Sequence, residues 1–296
     1  MARTVGIGIQ NFEKIIERKC FYIDKTSFIK EWWESQDEVT LITRPRRFGK
    51  TLTLNMLEYF FSVKYADKSG LFEHTSIWKD EKYRELQGTY PVISLSFANV
   101  KEGTYLEAKQ RICQLIAELY HKSHFLLEGD LLKEEEKEKF LSVTTDMPDV
   151  EATFAIYRLS DYLYRYYGKK VIILLDEYDT PMQEAYASGY WKELISFIRN
   201  FFHAVFKTNP YLERALMTGI TRVSKESVFS DLNNLEVVTI TSEKYADCFG
   251  FTEQEVFDSL DEFGLSDRKP EVKRWYDGFT FGKKAIFIIH GPSSII

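Results

Sequence analysis

The sequence predicts an α/β fold: a mostly parallel five-stranded sheet flanked by helices, with a small helical subdomain after the last strand. Three observations carry this. Short β-rich runs alternate with segments of helical periodicity, the pattern of strand–helix–strand units. Val171–Leu175 (VIILL) is an unbroken apolar run, as a central strand covered on both faces requires. Pro and Gly are sparse, 7 and 15 in 296 residues, and no linker-like stretch divides the chain.

The expected strands, in order, are Val39–Thr43, Tyr90–Phe97, Val171–Leu175, Arg214–Ile220 and Glu236–Thr241. Three helices stand out between them. Over Thr104–His121 the expected inner face is Leu106, Ile112, Leu115, Ile116 and Leu119. Over Val150–Tyr167 it is Phe154, Tyr157 and Leu163, and over Trp191–Phe206 it is Leu194, Ile195, Ile198, Phe201, Phe202 and Val205. Lys133–Lys139 (KEEEKEK) reads as a solvated helix face or loop. After the fifth strand, Thr252 with Glu255 three residues later has capping-box spacing and opens a helix to Leu265, and Trp275–Gly282 is turn-rich. The expected organisation is a core over residues 1–242, a lid-like helical subdomain over 243–284 and a distinct tail over 285–296.

Composition narrows the function. Hydrophobic residues make up 44% and charged residues 28%, enough apolar surface to build a core and too much for a disordered chain. The net charge of -6 excludes a uniformly basic coat for nucleic acid, though not a local basic patch. Cys20, Cys113 and Cys248 are odd in number and widely spaced, which gives no disulfide framework or metal spacing. His121 and His124 read as a polar helix end. No apolar run approaches the ~18 residues of a membrane span, and no signal-peptide core follows Met1. A cytoplasmic location with no membrane partner is expected.

Chemistry concentrates at two strand ends. Directly after the first strand comes Arg44-Pro45-Arg46-Arg47-Phe48-Gly49-Lys50-Thr51, then a helix marked by Leu52, Leu54, Leu57 and Phe61. Strand, loop, Gly-Lys-Thr and helix form the context of a phosphate-binding loop. Gly49 permits close backbone approach, and the helix N-terminus directs amides at an anion, so that Arg46 to Leu52 would surround the phosphates. Lys50 supplies charge for the β and γ phosphates of ATP, and the Thr51 hydroxyl is a ligand for Mg²⁺. The usual pattern places Gly where this chain has Arg44; Pro45 presets the turn instead, and Arg46 and Arg47 add charge.

The second strand end is Val171–Leu175 followed by Asp176-Glu177-Tyr178-Asp179. Here Asp176 is the expected metal ligand and Glu177 the general base toward water. Asp179 either reaches the second metal shell or caps the helix that follows; the cap is the preferred reading. At the end of the fourth strand, Thr218 or Thr221 is placed to sense a γ-phosphate, and Arg222 to contact phosphate in cis or in a neighbouring subunit.

Taken with Phe21-Tyr22-Ile23-Asp24-Lys25-Thr26, the strings RPRRFGKT at 44–51, LLDEYDTP at 174–181 and TGITRVSKES at 218–227 closely resemble the bacterial and archaeal AAA-ATPase-like family over roughly residues 1–284. Its loop also carries the Arg-Pro-Arg-Arg-Phe-Gly-Lys form. The resemblance implies an additional-strand P-loop ATPase fold with a helical lid, in a family whose members often continue into a PD-(D/E)XK nuclease-like domain. This chain is expected to end too early to hold one. The Tyr22–Thr26 segment is either a structural turn, the preferred reading, or part of the adenine edge.

Relatives follow WYDG-x-x-FG with a segment like Ile-Tyr-Asn-Pro-Trp-Ser-Ile-Ile, where residues 285–296 here read AIFIIHGPSSII. Chosen codons for this stretch, read two bases later, encode that segment, so a frameshifted tail is the expectation. The leading functional expectation is an ATP-Mg²⁺ hydrolase. The alternatives are a nucleotide-dependent switch with little turnover and the ATPase part of a nucleic-acid-processing protein, with Arg44, Arg46 and Arg47 as a DNA patch. A small-molecule kinase ranks below these, because Glu beside the metal Asp favours water as nucleophile. Protein or nucleic-acid partners and the oligomeric state are left open.

Overall fold

A computed structural model describes residues 3–6, 8–222, 228–229, 232–282 and 284–287; for 276–279 and 284–287 it describes the backbone alone. In chain order the elements are α1 (Phe12–Glu17), α2 (Ser27–Glu34), β1 (Val39–Thr43), α3 (Lys50–Phe61), α4 (Glu81–Leu86), β2 (Val92–Ser96), α5 (Tyr105–Lys122), α6 (Glu134–Leu141), α7 (Asp149–Tyr167) and β3 (Val171–Asp176). They continue with α8 (Thr180–Ser188), α9 (Trp191–Phe202), β4 (Leu212–Gly219), β5 (Leu235–Val238), β6 (Phe251–Thr252), α10 (Glu253–Glu262), α11 (Lys269–Tyr276), β7 (Asp277–Phe281) and β8 (Lys284–Phe287).

The five expected strands form one parallel sheet in the order β2-β3-β4-β1-β5, which establishes the α/β class. Every residue of β3 and of β1 is buried, which is why both read as continuous apolar or β-branched runs. β3 pairs with β2 from Val92↔Ile172 to Ser96↔Asp176, and with β4 through Leu174↔Leu216 and Leu175↔Met217.

The chain divides into two compact units. One comprises residues 1–36, 42–89 and 237–296, the other 37–41 and 90–236. In the second, α7 packs on α5 and α9. The α9 face is as expected, with Leu194, Ile195, Ile198, Phe201 and Phe202 buried, and Val205 buried in the π-helical turn that follows. Two other faces differ. Leu106 on α5 is exposed, whereas Ala108, Ile112, Cys113, Ile116, Ala117 and Tyr120 are buried. On α7, Phe154 is exposed and Tyr157 half-buried, whereas Ala152, Ala155, Ile156, Leu159 and Leu163 are buried. Small residues let these helices approach closely, so Ala and Cys, rather than the largest side chains, mark the inner stripe.

In the first unit, α1 packs on α3; the Phe12 amide donates to Asn55 Oδ1 (2.7 Å), and the Phe12 ring stacks on Phe72. The capping box at Thr252 forms as expected: Thr252 N donates to Glu255 Oε2 (2.7 Å), and Glu255 N to Thr252 Oγ1 (3.3 Å). Val256 and Leu260 of α10 close a small core with Val272 of α11. Beside these helices lies an antiparallel sheet, β6-β8-β7. Of the Trp275–Gly282 stretch expected to be turn-rich, the first two residues end α11 and Asp277–Phe281 form β7 by pairing with β8. Of the expected tail, residues 288–296 lie outside the described residues.

Candidate nucleotide site

β1 delivers the chain to Arg44, and the loop that follows reverses through two left-handed residues, Arg47 (φ 70°) and Gly49 (φ 77°). Arg44 is not among the positive-φ residues, so the backbone there makes no demand for glycine and the side chain is available for other work. A Cβ placed on Gly49 would meet nothing within 4 Å, so open space lies in front of the start of α3. Thr53 N donates to Gly49 O (2.9 Å), so Lys50, Thr51 and Leu52 occupy the first turn of α3, the turn at which a helix N-terminus faces an anion.

Lys50 is buried and folds back across its own loop, donating from Nζ to Arg44 O (3.0 Å) and Pro45 O (2.9 Å). Thr51 and Leu52 are half-buried, and Arg46 and Arg47 are exposed. Phe48 packs its ring on Phe281 (5.2 Å between centroids), and its carbonyl accepts from Gly250 N (3.3 Å), so it offers a ligand only its backbone.

Arg44 corrects one sequence expectation. It was grouped with Arg46 and Arg47 as a surface patch for DNA, but its side chain is wholly buried. The guanidinium donates to the carbonyls of Thr43 (3.0 Å), Val238 (3.4 Å) and Tyr245 (3.4 Å) and faces the rings of Phe281 (4.7 Å) and Phe249 (5.7 Å). Burial pushes its pKa down to about 10. In the same unit, the Tyr22–Thr26 segment is engaged internally. Asp24 accepts from Thr26 and from Ser76 N, while Lys25 Nζ reaches Glu255 (2.7 Å) and Asp247 O (2.6 Å).

In the second unit, β3 ends at Asp176. This carboxylate is buried, and its Oδ1 accepts from Thr218 Oγ1 (2.5 Å) and Glu177 N (3.1 Å). Thr218 is itself wholly buried and spends its hydroxyl on Asp176. Glu177 adopts φ 51°, a costly conformation for a non-glycine residue, which turns it away from the strand line. It is half-buried, and its Oε2 accepts from Thr180 Oγ1 (3.1 Å).

Asp179 does not act as expected. It occupies the N-cap position of α8, but its side chain makes no cap bond. Instead Oδ2 accepts from the amides of Ile220 (3.1 Å) and Thr221 (2.8 Å), the Thr221 hydroxyl (2.8 Å) and Gln183 (2.7 Å). Tyr178 reinforces the same junction, with its amide on Thr218 O (3.0 Å) and its hydroxyl on Thr221 O (2.8 Å). Thr221 therefore serves Asp179, and Arg222 follows it, exposed. The carboxylate-bearing turn and the end of β4 are thus one hydrogen-bonded block. Residues 223–227 of the expected TGITRVSKES string lie outside the described residues.

The model of a family described as predicted AAA-ATPase matches residues 6–229. The chain belongs to this family. A curated relative of this AAA-ATPase-like chain is an uncharacterized protein encoded in the vnfD 5' region of Azotobacter chroococcum mcd 1; the two are 29% identical over 291 residues, 96% of this chain. The chain spans about half, 50%, of that relative's length. No solved structure matches. Among the described residues, no helix of this AAA-ATPase-like chain is long and apolar enough to cross a membrane.

Proposed function

We propose that the chain binds ATP with Mg²⁺ and hydrolyses it. The observation that carries this reading is the start of α3: an open left-handed Gly49, a row of N-terminal amides and Lys50 folded over the loop. This donor set is cationic and amide-rich, and it fits a polyphosphate. Lys50 exchanges two carbonyl acceptors for phosphate oxygens, and Thr51 offers its hydroxyl to the metal. Asp176, with its rotamer held by Thr218, fits a hard cation. Glu177 takes the proton of the attacking water. Bound ATP and Mg²⁺ supply the leaving group and the charge neutralisation, while the chain supplies position and electrostatics. Arg46, Arg47, Phe48 and Leu52 contribute side-chain charge or backbone amides, and Arg222 acts on phosphate in cis or in a second copy.

One observation favours a second reading. Glu177 already accepts the Thr180 hydroxyl, a contact that competes with water for one carboxylate oxygen and suits a switch with slow turnover. The experiment measures ATP binding and steady-state hydrolysis for wild type, Lys50→Ala, Asp176→Asn and Glu177→Gln. Removing a general base costs on the order of 10²–10⁴ in turnover. Glu177→Gln is expected to retain binding and lose turnover on that scale; Lys50→Ala is expected to lose both. A wild type that binds ATP but turns over no faster than Glu177→Gln supports the switch. A folded wild type that binds no ATP overturns the proposal. DNA binding that falls steeply with salt and depends on Arg46 and Arg47 but not on Asp176 would instead support the nucleic-acid reading.

A further inference from the structure

We infer that Arg44 is a positioning residue that ties the phosphate loop to the C-terminal segment 238–281, so that loop and segment open and close together. The inference rests on the nucleotide reading for its consequence, but not for its geometry. Loop and segment belong to the same compact unit.

A guanidinium removed from water is costly unless its surroundings replace the lost hydration. For Arg44 they consist of three carbonyls and two aromatic faces; Nε has no acceptor, and no ion pair to Arg44 occurs among the described residues. Two of those carbonyls (Val238, Tyr245) and both rings (Phe249, Phe281) come from the C-terminal segment. If that segment moves away, the cation loses most of its replacement solvent, and the loop bearing it keeps its internal Lys50 contacts but loses its anchor. A second link runs in parallel, from Phe48 to Phe281 and to Gly250 N. The residue that makes this grip also touches the phosphate lysine directly, because the carbonyl of Arg44 itself accepts from Lys50 Nζ (3.0 Å). Ligand capture by Lys50 and anchoring by the Arg44 side chain therefore act on one residue's backbone and side chain. Closure of the segment then strengthens ligand binding by the same factor as the ligand favours closure, since coupling between two events is reciprocal.

The test is amide hydrogen exchange of the full chain, with and without Mg-ATP, for wild type, Arg44→Met, Arg44→Lys and Phe281→Leu. In wild type, Mg-ATP is expected to slow exchange over 238–250 several-fold. Without ligand, Arg44→Met is expected to exchange about tenfold faster over both 44–50 and 238–250, and to bind ATP about tenfold more weakly. Arg44→Lys keeps the charge but loses the planar fork, and is expected to fall between. Phe281→Leu, a milder change, covers the case in which Arg44→Met does not fold, and is expected to speed exchange in the same two stretches. If Arg44→Met and Phe281→Leu exchange like wild type in both, the tie is wrong, whether or not ATP binds. If wild type binds no ATP, the nucleotide reading fails and the tie is judged on the ligand-free exchange alone.

Discussion

At the level of single residues, the block around Asp179 makes the sharpest demands. A Cβ at Gly219 would lie 2.6 Å from Asp179 Oδ1 and 2.6 and 2.7 Å from two ring carbons of Tyr178, all inside a buried junction. Overpacking of this kind costs about 1–3 kcal/mol. Gly219→Ala is therefore expected to lower the urea midpoint accordingly, and also to displace Thr218, the residue that holds Asp176. Asp179→Ala leaves the part-buried amides of Ile220 and Thr221 without their acceptor, at about 1 kcal/mol each. Asp179→Asn retains one acceptor oxygen and is expected to cost less. An Asp179→Ala protein as stable as wild type would show that the junction is not built this way. Little of this was legible in the sequence. Lys50, Thr51, Asp176 and Glu177 announce themselves because their chemistry is local to a strand end. Asp179 has partners 41 and 42 residues away and Arg44 has partners 194 and 201 residues away, distances over which spacing rules say nothing. The missing first glycine at Arg44 was the visible trace of its role, but not a statement of it.

Among the elements, strands were easier to place than helix faces. All five sheet strands lie within three residues of their expected bounds, and β1 and β3 match most closely because fully buried strands need unbroken apolar runs. The faces of α5 and α7 were misjudged where a large exposed residue, Leu106 or Phe154, outweighed Ala and Cys in the pattern. Capping was read correctly at α10, and Glu255 there has a second task the spacing did not show: besides closing the box it accepts from Lys25. Loss of a cap side chain costs ~1 kcal/mol, so Thr252→Ala is expected to cost that much. Glu255→Ala is expected to cost more, because it also leaves a largely buried ammonium with only the Asp247 carbonyl, and a cost no larger than that of Thr252→Ala would remove the second role. The start of α7 carries a pH signature. Burial raises the pKa of Asp149, but hydrogen bonds from Lys109 (2.5 Å) and Tyr105 (2.7 Å) outweigh it and hold the carboxyl below its usual range. A folded-state pKa below the unfolded value of about 3.9 gives stability that is present above that pH and lost as pH falls through the folded value. The stability difference between wild type and Asp149→Asn should be seen at pH 7 and shrink as the carboxyl protonates; a difference independent of pH would assign it to packing instead.

For the whole molecule, the three cysteines form a built-in set of probes. All are free and buried; Cys20 and Cys248 lie in one compact unit and Cys113 in the other. Burial pushes the Cys113 thiol up to about 11 and Cys248, also beside Glu31, higher still, so at neutral pH neither offers thiolate to a reagent while the fold is closed. Alkylation then requires opening, and its site-resolved rate measures the stability of the unit that holds the cysteine. Cys248 stands between two residues whose neighbours bear on the phosphate loop: Tyr245 accepts from Arg44, and Phe249 faces it. Its labelling should therefore report the tie directly. Mg-ATP is expected to slow modification of Cys248 several-fold in wild type and scarcely at all in Arg44→Met. Modification of Cys113 separately follows the unit that carries Asp176 and Glu177. Slowing of Cys248 that persists undiminished in Arg44→Met would mean that nucleotide reaches the C-terminal segment by another route. Rapid labelling of Cys248 in folded, ligand-free wild type would mean that the segment does not stay packed on Arg44 at all.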